Sequence, residues 1–209
     1  GEWKLANKLF DEGLHLLQSH CIGTAWDLSV VKSHGLVAKY FLGDLRALEK
    51  NLPHYIQDAD ARNDLFCGAF LCGATLPILN LMHDNVNAPC QEAIARLERV
   101  QFPTFGLLHY NIIIWSVNAL LYKEQGRQAY AYRQREMPWL TGVLLRAGAH
   151  FLRILDHDVQ GRCAVAAALE RESSESSSRR LIRQAEKSIR VLEGEERPWA
   201  TAFARNLRA

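Results

Sequence analysis

Apolar residues recur at helical spacing along most of the chain. No stretch alternates strictly between apolar and polar positions as a half-buried strand would. Trp3, Ala6, Leu9, Phe10, Leu14 and Leu17 predict a first helix to about Ser19. His20–Gly23 interrupts it, and Thr24 can cap a second helix that runs to Leu42 and stops at Gly43-Asp44. Leu45, Leu48, Leu52, Tyr55, Ile56 and Ala59 form one stripe on the third helix, where Pro53 is expected to kink or split it. Arg62-Asn63-Asp64 is the next turn. A helix from Leu65 to about Met82 follows, interrupted at Pro77. After a turn at His83–Asn87, with Pro89 suited to a first helical turn, Ala93, Ile94, Leu97 and Val100 predict a short outer helix.

The run Phe102–Tyr122 contains no Asp, Glu, Lys or Arg, and its length raises the question of a membrane span. Pro103, Thr104, His109, Asn111, Ser116 and Asn118 are too many polar or helix-breaking groups for hydrocarbon. The run therefore predicts a helix from about Thr104 to Lys123 that other helices surround. Beyond it the pattern predicts helices over 127–135, 139–155, 162–170 and 179–192, and a last one started by Arg197-Pro198. Turns are expected at Glu124–Gly126 and His157–Gly161, and a mobile serine-rich loop at 171–178.

The segments FLGDLRALEK, MHDNVNAPCQ and KEQGRQAYAY each pair a turn with a helix start. Their alanines are evenly spaced: the interval from Ala47 to Ala88 equals that from Ala88 to Ala129. A period of about 34 residues marks a tetratricopeptide and about 40–47 a HEAT repeat, and the alanine interval falls in the second range. The expectation is an all-α chain of about five stacked helical hairpins, a right-handed solenoid over residues 1–209 as a single domain. The three alanines should then occupy equivalent, closely packed positions on successive outer helices.

Composition narrows the function classes. The hydrophobic content is 48% and the charged content 23%, as in a soluble globular protein. A net charge of +2 provides no global field to recruit nucleic acid or membrane, although residues 161–209 carry 10 Lys+Arg against 7 Asp+Glu. Cys21, Cys67, Cys72, Cys90 and Cys163 are odd in number and contain no C-x-x-C pair. Buried, reduced thiols in a cytoplasmic protein are expected, rather than a disulfide framework or a zinc site. The helical pattern begins abruptly at Gly1, as in a fragment of a longer protein.

Catalytic signatures are missing. There is no Gly-rich phosphate loop, H-R-D, D-F-G, H-E-x-x-H or G-x-S-x-G. Asp58-x-Asp60-x-Arg62-Asn63-Asp64 is only superficially a calcium loop, since Arg62 fills a ligand position and Ala69 stands where the twelfth-position Glu belongs. Asp156-His157-Asp158 are adjacent on one helix end, so their side chains diverge. The five tryptophans lie mostly on apolar stripes and fit core packing better than base stacking.

Taken in order, the local motifs resemble a known region. They are Cys21-x-Gly23-x-Ala25-Trp26-Asp27, Leu42-Gly43-Asp44-Leu45, Ala59-x-x-Arg62-Asn63-Asp64-Leu65, Leu108-His109-Tyr110, Ala185-Glu186 and Arg197-Pro198-Trp199-Ala200. The series is similar to the tetratricopeptide-like helical region C-terminal to the catalytic domain of large multidomain bacterial serine/threonine protein kinases. Some of those chains also carry an ATPase module. Asp27 departs from the usual Glu, and the serine segment from an alanine-rich link. The resemblance implies a non-catalytic interaction or sensory module in signal transduction. ATP and Mg would belong to a kinase domain elsewhere in the parent, and the partner would be a protein or peptide, the kinase domain itself included. No nucleic acid and no membrane span are expected. Competing classes are a ligand-sensing helical domain of a large ATP-dependent transcription activator and a helical enzyme. In stacked hairpins the first helix of each pair lines the concave side, here 24–42, 65–82, 104–123 and 139–155. Trp26, Asp27, His109, Tyr110, Arg146, His150 and Arg153 are the polar or amphipathic candidates for a peptide groove there.

Overall fold

The computed structural model describes residues 2–86, 90–100, 106–136, 150–170 and 175–209. All regular structure among them is helical. The chain divides into two compact units, Glu2–Thr104 and Phe105–Ala209.

The N-terminal unit holds α1 (Trp3–His20), α2 (Ala25–Phe41), α3 (Leu45–Ala61), α4 (Leu65–Ala74), α5 (Leu76–Met82) and α6 (Gln91–Val100). Helix α1 packs on α2, and α4 packs on both α2 and α3 as well as on α6. Its core includes Leu36, Leu48, Leu52, Cys67, Leu71 and Cys72. Pro53 does not split α3. It sits on an exposed face, where water can satisfy the carbonyl that loses its hydrogen bond. Pro77 does interrupt its helix: α4 ends at Ala74, Thr75 Oγ1 donates to the Leu71 carbonyl at 2.8 Å, and α5 restarts at Leu76. Leu65–Met82 is long and apolar enough to cross a membrane by length and composition, with mean hydropathy 1.8, and 67% of it is buried. Packing of α4 against its neighbouring helices accounts for that burial.

The C-terminal unit holds α7 (Leu107–Tyr122), α8 (Gly126–Glu136), α9 (His150–Leu169), α10 (Glu175–Gly194) and α11 (Pro198–Arg208). Helix α9 packs on both α7 and α8, and α11 on both α9 and α10. Tyr110, Ile113, Ile114 and Val117 of α7 join Ala129, Leu152, Val159 and Cys163 in one core, so the described part of the uncharged run, Leu107–Tyr122, is a helix packed into a core as its composition predicts. A second cluster joins Ile154, Ile189, Leu192, Ala200 and Ala204. Gly126 allows α8 to approach α9: a Cβ there would lie 2.5 Å from the Ala166 carbonyl carbon.

Three expectations are corrected. The turn foreseen at His157–Gly161 is the middle of α9. Asp158 pairs with Arg162 one turn on, and Gly161 receives Leu207 of α11, so tertiary packing holds the helix through a sequence that reads as a break. The serine segment is helical from Glu175, with Glu175 paired to Arg179. Ser176, Ser177 and Ser178 thus lie in the first turn of α10, and 171–174 fall outside the described residues. The alanines are not equivalent. Ala47 is the third residue of α3 and half-buried, Ala129 is the fourth of α8 and fully buried, and Ala88 lies outside the described residues.

What recurs is the turn itself. Helix α2 ends with Gly43 at φ +74°, its N–H donating to Tyr40 O and that of Asp44 to Lys39 O, both at 2.9 Å. The same pair of bonds closes the helices before Asn63 (φ +53°), Asp84 (φ +57°) and Glu124 (φ +59°). This is the Schellman motif, which satisfies the last carbonyls of a helix by one left-handed residue. Gly43, Asp84 and Glu124 are almost evenly spaced along the chain, the second interval shorter than the first by a single position.

Candidate functional site

Trp26, Val30 and His34 lie at i, i+4 and i+8 on α2 and share one face. Phe66 and Phe70 share a face of α4 in the same way. The two faces meet in a run of rings. The Trp26 and Phe66 centroids are 5.3 Å apart, Phe66 and Phe70 6.5 Å, Phe70 and His34 5.5 Å, and His34 and Phe10 of α1 6.3 Å. These spacings are those of mutually attractive aromatic pairs. One end of the track is open, with Trp26 60% exposed and Asp27 exposed beside it. His34 is also exposed, and its Nδ1 lies 3.0 Å from the Val30 carbonyl, which orients the ring over Phe70.

A polar clasp beneath the track fastens α2 to the α3–α4 turn. Ser29 Oγ donates to Asp64 Oδ2 at 2.5 Å, while Asp64 Oδ1 caps α4 by accepting from Cys67 N at 3.0 Å. Arg62 donates from Nε and Nη2 to Asp58 Oδ2, and Lys32 Nζ donates to the same oxygen at 2.5 Å. Burial alone would raise the Asp58 pKa. The hydrogen bonds from Lys32 and Arg62 outweigh it and hold the carboxyl below its ordinary range. Asp60 is held low by a fork of hydrogen bonds from Arg96, which also meets Glu92. Each carboxylate of the calcium-like stretch is thus engaged by protein cations.

The remaining candidates belong to the C-terminal unit. Tyr110 is 1% exposed and its hydroxyl donates to Leu152 O at 3.3 Å. It is a core residue that no partner can reach, which corrects its placement in a groove. His109 Nδ1 accepts the Gly106 N–H at 3.2 Å at the start of α7. Burial lowers its pKa and so favours the neutral ring that this bond needs. His150 and Arg153 come together on Glu195, Arg153 through Nε at 2.5 Å and Nη2 at 2.9 Å. Hydrogen bonds from Arg153 hold Glu195 below the usual carboxylate range. These two residues tie α9 to the end of α10. Arg146 lies outside the described residues.

The sequence reading finds Trp26 and Asp27 but passes over Phe10, His34, Phe66 and Phe70, whose spacing looks like core. The adjacent aromatics Phe66 and Phe70, one turn apart after a capped turn, are the signal that could have found them. The C-terminal unit also contains a buried ion pair, Arg133 with Asp156 at 2.5 Å. The sequence did not single out Arg133. His157 beside it keeps a low pKa through burial. Comparisons with protein families, with curated proteins and with solved structures return no match.

Proposed function

We propose that the chain is a non-catalytic, tetratricopeptide-like helical-repeat module that binds a protein or peptide, and that it serves a bacterial serine/threonine protein kinase. The observation that carries the repeat reading is the turn at Gly43, Asp84 and Glu124, each closing the first helix of a hairpin at nearly even spacing. The packing order supports it, because α4, α9 and α11 each pack on both helices of the hairpin before them. About five such hairpins would make a right-handed solenoid. The aromatic track is the binding surface in this reading. It is partly open and lies on α1 and on the first helices of two successive hairpins, the side that lines the concave face of such stacks. The kinase assignment rests on the order of the sequence motifs, and ATP and Mg would act in the parent's catalytic domain.

Selection of a displayed random-peptide library on the chain tests the module. Enriched peptides should bind the native chain and lose at least about tenfold in affinity to Trp26→Ala and Phe66→Ala, which is ~1.4 kcal/mol. Peptides that bind both variants unchanged would move the site away from the track. The parent reading frame tests the kinase assignment: a catalytic kinase domain is expected N-terminal to this chain, and a DNA-binding domain in its place would favour the transcription activator.

A further inference from the structure

Helix α10 segregates its side chains into three sectors. Leu181, Ala185, Ser188, Ile189 and Leu192 are buried, with α9 and α11 packed on the helix. Glu186 and Glu193 are exposed along one border. Arg180, Arg183, Lys187 and Arg190 are exposed and share a sector of about 80° at ~100° per residue, over ~15 Å of helix. Among the described residues none of these four cations makes an ion pair or hydrogen bond, although acidic side chains are present on the same helix. Elsewhere in the molecule Arg62, Arg96, Arg133, Arg153 and Arg162 are all paired. An unpaired row of like charges is mutually repulsive, and an anionic partner would relieve that repulsion.

We propose that this row docks an acidic peptide segment of a partner protein. An extended chain advances ~3.3 Å per residue, so ~15 Å accommodates about five residues. A membrane surface fits less well, because the apolar face an interfacial helix would insert is already buried against α9 and α11. Nucleic acid fits less well too: the sector holds no aromatic side chain for bases, and the chain as a whole has a net charge of only +2.

The probe is fluorescein-labelled octaglutamate, titrated with the whole chain by anisotropy at low ionic strength. A short duplex DNA and phosphatidylserine-containing vesicles serve as comparisons. Binding of the peptide should weaken as salt screens the row. The quadruple variant Arg180→Gln, Arg183→Gln, Lys187→Gln, Arg190→Gln should lose at least about tenfold, and the double variant Arg183→Gln, Arg190→Gln should fall between. A control variant with Lys4, Lys8, Arg46 and Lys50 changed to Gln loses the same net charge from exposed sites in the N-terminal unit and should stay within about twofold. No peptide binding by the unaltered chain would overturn the proposal. So would equal loss in the row and control variants, or tighter binding of the duplex or the vesicles than of the peptide.

Discussion

Lys32 Nζ donates to Asp58 Oδ2 across 2.5 Å from a side chain that is only 7% exposed, and the same ammonium lies 5.3 Å from the centroid of the Tyr55 ring. A lysine on a core-facing position is tolerable only because its charge is met. Asp58→Ala should therefore cost about 1–3 kcal/mol, moderated because Asp58 is itself 40% exposed. Lys32→Met should cost less, since Asp58 keeps Arg62. Urea unfolding of the two variants gives the ranking, and a cheaper Asp58→Ala would mean that Lys32 finds water or another acceptor.

Glu195 gives the acid limb of stability a specific contributor. Its folded pKa lies below its ordinary value of ~4.3, chiefly through hydrogen bonds from Arg153. A depressed carboxyl stabilises the fold fully above the unfolded pKa, and the contribution is lost as pH falls through the folded pKa. Glu195→Gln should thus be less stable than the parent near pH 7, and the gap should close progressively below about pH 4. Thermal unfolding from pH 7 to pH 2 measures it. A gap constant across that range would exclude the ionic contribution.

Thiol accessibility should divide four to one. Cys67, Cys72, Cys90 and Cys163 are buried and Cys21 is exposed. Burial pushes the Cys72 thiol up to about 12 and Cys163 to about 11, so neither supplies thiolate near neutrality. In the native state a maleimide should label one thiol quickly, at Cys21, and all five after unfolding. Fast native labelling of Cys72 or Cys163 would show that the cores around them open.

The close approach at Gly126 should be intolerant of any side chain. An added Cβ would meet backbone atoms of Ala166 and Ala167 at 2.5 and 2.7 Å, and backbone cannot yield as a flexible side chain does. Gly126→Ala should cost about 1–3 kcal/mol even though alanine is the better helix former. Gly161→Ala meets the tip of Leu207 instead, and should be the milder change in a parallel melt.

Much of the helix map was legible because caps and turns are local. Gly43-Asp44 and Asn63-Asp64 put a left-handed residue and an N-cap side by side, and that chemistry is written in two letters. The course of α9 was not legible: Asp156-His157-Asp158 and Gly161 read as a turn until Arg133 and Leu207 arrive from other helices and Arg162 pairs with Asp158 one turn on. The start of α10 was hidden for a similar reason, since serines predict a link unless Glu175 and Arg179 close the first turn. The aromatic track eluded the pattern because Phe66 and Phe70 occupy positions of helical period. Which face of a helix stays open depends on its neighbours, and one helix does not specify them.

The recurring turn makes its own prediction. Helices α2, α3, α5 and α7 each end on a residue at positive φ, and of those residues only Gly43 is a glycine. For an L side chain the left-handed region costs ~1–2 kcal/mol, least for Asn and Asp, whose short polar groups bond locally. Replacement by glycine relieves that strain but adds freedom to the unfolded chain, so the net gain is a fraction of it. Glu124→Gly should therefore stabilise the fold by about 0.5–1 kcal/mol, Asp84→Gly by less, and Asn63→Gly by the least. Gly43→Ala should act in the opposite direction and cost about 1 kcal/mol. Denaturant midpoints at constant slope provide the series. If Glu124→Gly destabilised, then Glu124 would make a contact worth more than its strain.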